Sequence, residues 1–337
     1  MKRILVLLLS ATALAVAGVH VATAHTTRVA VTNGVVVVNT NLAYENGAAA
    51  GTGMVLTANG EVLTNNHVIR GATSIRVVVP QTHRSYAARV VGYSVSADVA
   101  ILQLRNASGL ATVSLGDSSK LENGEAVTAV GNAGGTGSLT VTTGSIVRLQ
   151  RSITVSDDQG GTEQLANIIE TDASLQPGDS GGPLLDSAGQ VIGMDTAASA
   201  GFYFQGGGGG DGFAIPIDRA ATLAKQIEAG RASAQVHVGG TALLGVSIQP
   251  SGYYDASGAY HPGLVVENVV PGSPAAKAGV AAGDVITALG GHPVASQNAV
   301  VALLLPHHPG ERIAVTWIDQ ATGSHTATVA LANGPPQ

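Results

Sequence analysis

Three short motifs, in a fixed order along the chain, constrain the fold more than any other feature of the sequence. His67 lies in the run NHVI, Asp98 lies in DVAIL, and Ser180 lies in GDSGGP. A serine hydroxyl is a weak nucleophile until a neighbouring base accepts its proton, and a histidine oriented by a carboxylate is a common base. The chain therefore contains a candidate base, orienter and nucleophile, in that order.

This order distinguishes three unrelated folds that carry the same catalytic set. His, then Asp, then Ser is the order of the chymotrypsin-type double β-barrel. Residues 178–182 also fit the Gly-x-Ser-x-Gly pattern of α/β-hydrolases, but that fold requires a helix directly after the serine and its histidine later in the chain. Pro183 and a predicted hairpin follow instead. The sequence therefore favours the double barrel.

Short β-branched runs bounded by turn residues predict a mostly β protein. The chain has 45 glycines and only 3% aromatic residues, which suits tight turns between short strands. Many such strands are typical of a sandwich or barrel. Strands are predicted at 29–38, 53–57, 75–79, 86–92, 99–104, 126–130, 139–143, 145–149, 168–171, 184–185 and 190–194, with residues 46–53 as a loop.

The pattern changes after residue 216. Apolar residues at helical spacing predict a helix over 217–229, which Gly230 ends. A smaller unit follows, with helices predicted after Ser273 and over 297–305, each begun by a serine cap. Strands are predicted at 311–318 and 324–331, and the tail 333–337 is expected to fray. The predicted division is 1–24 signal peptide, 29–230 first domain, 231–240 linker and 241–333 second domain.

The first residues match an export signal. Lys2 and Arg3 precede an apolar stretch over 4–19, and Ala22–Ala24 supplies small residues for cleavage. An uncleaved N-terminal anchor is the alternative, because a membrane span needs about 20 apolar residues. Either reading predicts a periplasmic, cell-envelope or secreted location.

Composition excludes several classes of function. The formal net charge is -6 and there is no basic run, so nucleic acid is not an expected partner. The absence of cysteine excludes disulfides and cysteine-ligated metals. The histidines lack the spacing of metal ligands, so neither a metal nor another cofactor is expected.

With these residues the chain resembles the HtrA-type (high-temperature-requirement) trypsin-like serine proteases that carry one C-terminal PDZ domain. The resemblance covers about residues 31–331 and implies a mostly β architecture: a chymotrypsin-like double β-barrel protease domain followed by a small α+β PDZ domain. It is carried by residues 63–68 (LTNNHV), 97–100 (ADVA), 171–173 (TDA), 177–183 (PGDSGGP), 244–246 (LGV) and 272–284.

The resemblance assigns catalytic roles to His67, Asp98 and Ser180. It implies an oxyanion hole built from the backbone N–H groups of Gly178, Asp179 and Ser180, with Gly178 and Ser180 as the main donors. Glycines in this run permit backbone angles that side chains would forbid. Losing one oxyanion donor typically costs about 2.7–4 kcal/mol of transition-state stabilisation.

A specificity pocket is implied with Ser174 at its base, six residues before the nucleophile. Its wall would be Thr196, Ala197 and Ala198. Because no acidic residue lies at the base, small or medium aliphatic side chains are the expected preference. An alternative, in which Leu175 or Gln176 reshapes the pocket, stays open.

In the PDZ domain the resemblance implies binding of peptide C-termini by strand addition. The backbone N–H groups of Leu244, Gly245 and Val246 would hold the terminal carboxylate. The apolar residues of the helix 297–305 fit a peptide groove or an ordinary core equally well; they are Val300, Leu303 and Leu304.

Two features depart from the family pattern. Asp179 occupies a position where HtrA-type proteases usually carry Asn, and it is expected to cap a turn or to meet Arg148 or Arg151. The segment 199–212 contains five consecutive glycines, Gly206–Gly210. It is predicted either to border the pocket and order with ligand, or to be a plain surface loop.

These observations predict an exported serine endopeptidase that cleaves unfolded or damaged proteins through an acyl-enzyme. The alternative is a chaperone-like peptide-binding module whose protease site is inactive at rest. By the same resemblance the subunits would form a homotrimer, although residues 25–50 hold only Tyr44 as an aromatic.

Overall fold

The computed structural model describes residues 31–44, 46–156, 162–196, 212–255, 257–319 and 323–337. The first barrel closes in the order β5-β4-β1-β2-β3-β6, with β6 pairing back to β5. Its strands are β1 Val35–Leu42, β2 Gly47–Val55, β3 Glu61–Thr64, β4 Ser74–Val79, β5 Arg84–Ser94 and β6 Val99–Leu104. The short helix α1, Asn66–Ile69, follows β3 and carries the candidate base.

The second barrel closes in the order β10-β11-β12-β9-β8-β7. Its strands are β7 Ala126–Gly131, β8 Thr140–Ser156, β9 Thr162–Thr171, β10 Pro183–Leu185, β11 Val191–Asp195 and β12 Gly212–Pro216. The two closed barrels confirm the predicted fold class. The candidate nucleophile lies in the loop between β9 and β10.

Helix α2, Ile217–Glu228, packs across both barrels. Its buried residues recur at helical spacing, at Ile217, Ala220, Ala224 and Ile227. They join one core cluster with β1 and β6 of the first barrel and β11 of the second. This shared core fixes the two barrels against each other, and it therefore fixes the cleft between them where the site lies.

Two predictions of strand position were wrong in an instructive way. Residues 46–53, expected to form a loop, belong mostly to β2. Their small side chains allow close packing: a Cβ at Gly53 would lie 2.7 Å from Val62 Cγ1. The strands predicted at 139–143 and 145–149 are one strand, β8, whose pairing with β9 shifts register three times. Such bulges bend a strand without ending it.

The PDZ domain is a sheet in the order β15-β16-β17-β19-β20, with β18 on β17 and a separate β14-β21 pair. The two helices lie near the predicted positions, and Ser273 and Ser296 cap them. The elements are β14 Thr241–Leu243, β15 Val246–Tyr254, β16 Tyr260–Val269, α3 Pro274–Ala278, β17 Val285–Leu289, β18 His292–Pro293, α4 Gln297–Leu304, β19 Arg312–Ile318, β20 Ser324–Ala330 and β21 Ala332–Gly334.

The segment 231–240, predicted as a linker, is partly built into the first barrel. Strand β13, His237–Val238, pairs with β5. His237 is buried, and its Nδ1 lies 2.7 Å from the carbonyl oxygen of Leu305, just after α4. Tyr93 Oη lies 3.1 Å from Thr241 Oγ1 in a second buried contact between the protease and PDZ domains.

The tail 333–337 is held by hydrogen bonds, contrary to the expected fraying. Strand β21 pairs with β14. The Gly71 N–H donates to the carbonyl of Pro336 at 2.9 Å, and Asn66 Nδ2 donates to the carbonyl of Gln337 at 2.9 Å. Backbone carbonyls, which proline retains, make both of these contacts.

Candidate active site

The carboxylate of Asp98 contacts both the backbone and the ring of His67. The Asp98 carboxylate accepts the His67 backbone N–H on Oδ1 at 2.9 Å, and Oδ2 lies 2.8 Å from the ring Nδ1. The first N–H groups of a helix have no partner within the helix, so a carboxylate can cap them. One buried carboxylate thus caps α1 and orients the imidazole through Nδ1.

The backbone at Asp98 is itself constrained. Its φ angle is 52°, in the left-handed region that Asp tolerates better than bulkier residues. The Asn65 side-chain amide donates to the Asp98 carbonyl at 2.9 Å, which ties the turn before α1 to the turn before β6. The orienter and the base are therefore held by adjoining segments of one barrel.

Thr196 contributes a contact that the sequence analysis missed. Its hydroxyl donates to Asp98 Oδ2 at 3.1 Å, from the residue directly after β11 in the second barrel. From its sequence position, Thr196 is predicted only as part of the pocket wall. A buried hydroxyl beside the predicted orienter follows from barrel closure, and no local motif indicates it.

Strand β2 contacts the loop that carries Ser180. Ser180 is buried, and its carbonyl oxygen accepts the Thr52 N–H at 2.8 Å. A Cβ at Gly51 would lie 2.7 Å from Val68 Cγ1 and 3.2 Å from the Ser180 carbonyl. Strand β2 therefore packs against the helix that carries His67 and against the loop that carries Ser180.

The loop before Ser180 is tightly packed. Gly178 has φ 100°, and a Cβ there would lie 2.2 Å from the Asn132 carbonyl oxygen. Thr52 Oγ1 donates to the Gly178 carbonyl at 2.7 Å and accepts the Asn132 N–H at 2.9 Å. Thr52 was also missed from the sequence, because no motif marks a threonine within a strand.

The oxyanion set expected from sequence needs one correction. The Asp179 N–H donates to the Gln176 carbonyl at 3.0 Å, so it is not directed toward a substrate. Within the described part of the chain, no backbone carbonyl accepts the Gly178 N–H. The hydrogen bonding therefore removes Asp179 from the predicted donors and leaves Gly178 and Ser180.

The Asp179 side chain caps a turn, as one of the two expectations stated. Its Oδ2 accepts the Gln176 N–H at 2.9 Å. The other expectation, a pair with an arginine, is not met by Arg151, whose Nε lies 2.6 Å from Glu170 Oε2. Burial raises the pKa of Asp179, and the hydrogen bond from Gln176 offsets part of that rise.

The predicted pocket is described only in part. Ser174 is exposed between buried Ala173 and half-buried Leu175. A Cβ at Gly212 would lie 2.7 Å from Leu175 Cγ, so Leu175 packs against the start of β12. Ala197, Ala198 and the glycines Gly206–Gly210 lie outside the described residues.

The predicted carboxylate-binding turn of the PDZ domain precedes β15. Gly245 has φ 86°, and a Cβ there would lie 2.3 Å from Ser273 Cβ. The Ala275 N–H donates to the Leu244 carbonyl at 3.1 Å and the Val270 N–H donates to the Gly245 carbonyl at 2.9 Å, so two carbonyls of this turn are engaged. Val246 begins β15, which lies at the end of the sheet and, among the described strands, pairs only with β16.

Helix α4 lies along that edge. Val300 and Leu304 are buried in the PDZ core, and Leu303 packs against it while partly exposed. Gln297 Nε2 donates to the Ile248 carbonyl at 2.6 Å, so a side chain of α4 is bonded to β15 across the groove. The buried pair belongs to the core, and Leu303 is the residue of the three that reaches the surface.

Within the described ranges, no cluster of His, Asp or Glu has the arrangement of a metal site. The same ranges contain no helix long and apolar enough to cross a membrane.

Comparison with known proteins identifies both domains. A model of the trypsin-like peptidase domain matches residues 51–194, and a PDZ domain model matches residues 242–325. Serine protease PepD of Mycobacterium tuberculosis is 34% identical over 310 residues, covering 88% of this chain and 63% of the relative. The periplasmic pH-dependent serine endoprotease DegQ of Escherichia coli is 38% identical over 270 residues, covering 78% of this chain and 55% of the relative.

Solved structures similar to this chain are also serine proteases of the HtrA type. The HtrA-type protease AlgW, solved with a tripeptide, is 27% identical with a TM-score of 0.51, covering 92% of this chain and 98% of that one. The chain spans 55–63% of the length of the two curated relatives. The motif order, the two closed barrels and these matches together show that the chain belongs to the HtrA-type trypsin-like serine proteases and carries a PDZ domain after its protease domain.

Proposed function

We propose that this protein is an exported serine endopeptidase that cleaves unfolded polypeptides with His67, Asp98 and Ser180. The observation that carries the proposal is the Asp98 carboxylate, which holds both the backbone and the ring of His67. That arrangement selects the tautomer with a proton on Nδ1 and stabilises the imidazolium formed during reaction. Strand β2 supports it by holding the Ser180 loop against the same helix.

The proposed reaction has two steps. Ser180 Oγ attacks the peptide carbonyl carbon while His67 Nε2 accepts the hydroxyl proton, and the carbonyl oxygen becomes an oxyanion. The N–H groups of Gly178 and Ser180 stabilise that charge. Collapse breaks the C–N bond, the amine leaves with the proton from His67, and an ester to Ser180 remains. Water then attacks the ester carbonyl carbon and gives a proton to His67. The C–O bond to Ser180 breaks, His67 returns the proton to Ser180 Oγ, and the acid is released.

The PDZ domain would bind the C-terminus of a peptide along the free edge of β15. The open edge and the turn at Leu244–Val246 support this proposal. Strand addition supplies main-chain hydrogen bonds, and a side chain of the peptide would enter the groove beside Leu303. A C-terminal peptide bound here lies in the domain that contacts the protease through His237 and Tyr93.

An extracytoplasmic location is proposed from the export pattern at residues 1–24, which lie outside the described residues. It is supported by relatives that are named as periplasmic proteases. The homotrimer and the exact domain boundaries stay predictions.

The test is labelling of the purified protein with a fluorophosphonate, alongside Ser180→Ala, with casein hydrolysis in parallel. Labelling and casein loss that both vanish in Ser180→Ala are the expected result. If neither occurs even with C-terminal peptides added, the endopeptidase proposal is wrong. The protein would then be the chaperone-like peptide-binding module.

A further inference from the structure

Two aspartates lie behind the loop that carries Ser180. Asp179 precedes the nucleophile, and Asp195 ends β11. The Gly181 N–H donates to the Asp195 carbonyl at 2.8 Å, and the Asp195 N–H donates to the Gly182 carbonyl at 2.8 Å. The Gly182 N–H donates to the Asp179 carbonyl at 2.9 Å. The backbones of both aspartates are therefore joined to the two residues that follow Ser180.

Three of the four carboxyl oxygens of these aspartates meet no hydrogen-bond donor in the described part of the chain. Asp195 is 0% exposed and Asp179 is 2% exposed. Asp179 Oδ2 accepts the Gln176 N–H, whereas Asp179 Oδ1 and both carboxyl oxygens of Asp195 meet no donor among the described residues. An isolated buried carboxylate is so costly that such a group normally keeps its proton. The site therefore contains more buried acceptor oxygens than it has donors, and a retained proton would supply one.

No cation in the described elements neutralises the pair. Strands β10, β11 and β12 carry no charged side chain besides Asp195. Glu170 on β9 is engaged by Arg151, and Asp172 is exposed beside Ser145. Asp98, which the hydroxyl of Thr196 contacts one residue after Asp195, is held by Thr196 and His67. The charges around Asp195 are thus negative or already paired.

We propose that Asp195 is a positioning residue that shares a single proton with Asp179 and so keeps the Ser180 loop in its working shape. The proton gives one carboxyl an O–H that the unpaired oxygen of the other accepts. Asp179 can then hold the Gln176 turn, which places Gly178 for the oxyanion. The effect on catalysis rests on the proposed endopeptidase function, whereas the shared proton does not.

Titration of the pair has a definite sign. Burial raises the pKa of Asp195 well above its ordinary value, and the charge of Asp179 raises it further. Burial also raises the pKa of Asp179. Loss of the shared proton leaves two negative charges behind the loop, so the loop is expected to loosen as pH rises. The apparent value belongs to the pair, because the two groups interact.

The activity test compares the pH profile of casein hydrolysis in the full chain with that in Asp195→Asn. We expect the parent enzyme to lose kcat/KM by about tenfold per pH unit above the apparent pKa of the pair. Asp195→Asn carries a permanent N–H donor and is expected to lack this alkaline decline. Asp186→Asn, in the β10–β11 turn, removes the same charge and should keep the parent profile.

A second test does not depend on activity. Urea unfolding of Ser180→Ala is compared with Ser180→Ala/Asp195→Asn and Ser180→Ala/Asp186→Asn across pH. Between the ordinary Asp pKa and the raised value of the folded pair, the folded state holds a proton that the unfolded state has released. The folding equilibrium constant should therefore fall by up to about tenfold per pH unit as pH rises, and then level off.

The outcomes separate the two proposals. A steep fall that disappears only in the Asp195→Asn background supports the shared proton, even if no variant hydrolyses casein. Equal pH slopes in the Asp195→Asn and Asp186→Asn backgrounds would overturn it. Retention of the alkaline decline in active Asp195→Asn would overturn the positioning role.

Discussion

Gly181 directly follows the candidate nucleophile, and one added methyl group at this position should lower both the activity and the stability of the protein. Its φ angle is 85°, and its N–H donates to the Asp195 carbonyl. A Cβ there would lie 2.1 Å from the Thr52 carbonyl oxygen and 2.4 Å from Thr64 Oγ1. Those two atoms are hydrogen-bonded to each other at 2.7 Å, so neither moves freely. In Gly181→Ala the Ser180 loop has to shift instead.

The size of the effect follows from these distances. The overlap with Thr52 has to be relieved by a displacement of about 1 Å, and a misplacement of that size costs about 100-fold in rate, or about 2.7 kcal/mol of activation free energy. The left-handed backbone costs a further ~1–2 kcal/mol of stability once a Cβ is present. Gly189→Ala is the matched control, because its φ is 77° but no atom lies within 4 Å of the added Cβ.

The assay is casein hydrolysis with fluorophosphonate titration of active sites, together with urea unfolding of both variants. Gly189→Ala should lose only the stability expected for its backbone angle and keep its activity. Gly181→Ala should also lose kcat by about 100-fold. If the two variants hydrolyse casein at equal rates per folded molecule, the packing around Gly181 does not position the nucleophile, and the reasoning is refuted.

Three further changes test other contacts. Asp98→Asn should lower kcat by about 10⁴-fold, because an amide favours the wrong imidazole tautomer. Steady-state kinetics would measure this loss, and a loss below about tenfold would contradict the role of Asp98 in orienting His67. Gln297→Ala frees the Ile248 carbonyl on the edge of β15 and should therefore tighten the binding of C-terminal peptides by about two- to tenfold. Fluorescence polarisation would measure the affinity, and weaker binding would indicate that Gln297 contacts the peptide instead. His237→Ala removes the contacts of His237 to the Leu305 and Gly240 carbonyls and should lower the free energy of unfolding by about 1–3 kcal/mol. Proteolysis between the domains should also be faster than in the parent protein. Unchanged urea unfolding would contradict this prediction.

Local signals sufficed for many elements. The helix predicted over 217–229 from apolar residues at 3.6-residue spacing is observed over Ile217–Glu228, and that apolar face is the one buried. The helices after Ser273 and Ser296 were predicted from their caps, and both serines accept the expected backbone N–H. In each case the signal lies within a few residues of the structure that it specifies.

Other structural features were not predicted, because the residues that form them are distant from one another in sequence. Strand β2 contains Gly47–Gly53, a loop-like run that becomes a strand because small residues let Val62 and Val68 pack closely. Thr196 meets Asp98 across 98 positions of sequence. The tail at 336–337 is ordered by Gly71 and Asn66, far earlier in the chain.

The sequence by itself determined the family, the double-barrel class and the order of the candidate catalytic residues, because these depend on short motifs and their succession. Only the tertiary structure decided that the Asp179 N–H is engaged by the Gln176 carbonyl and that Thr196 supports Asp98. It also decided that Asp179 and Asp195 are buried behind one loop. Barrel closure brings those groups together, and the free energy of a buried charge depends on every neighbour around it rather than on its place in the chain.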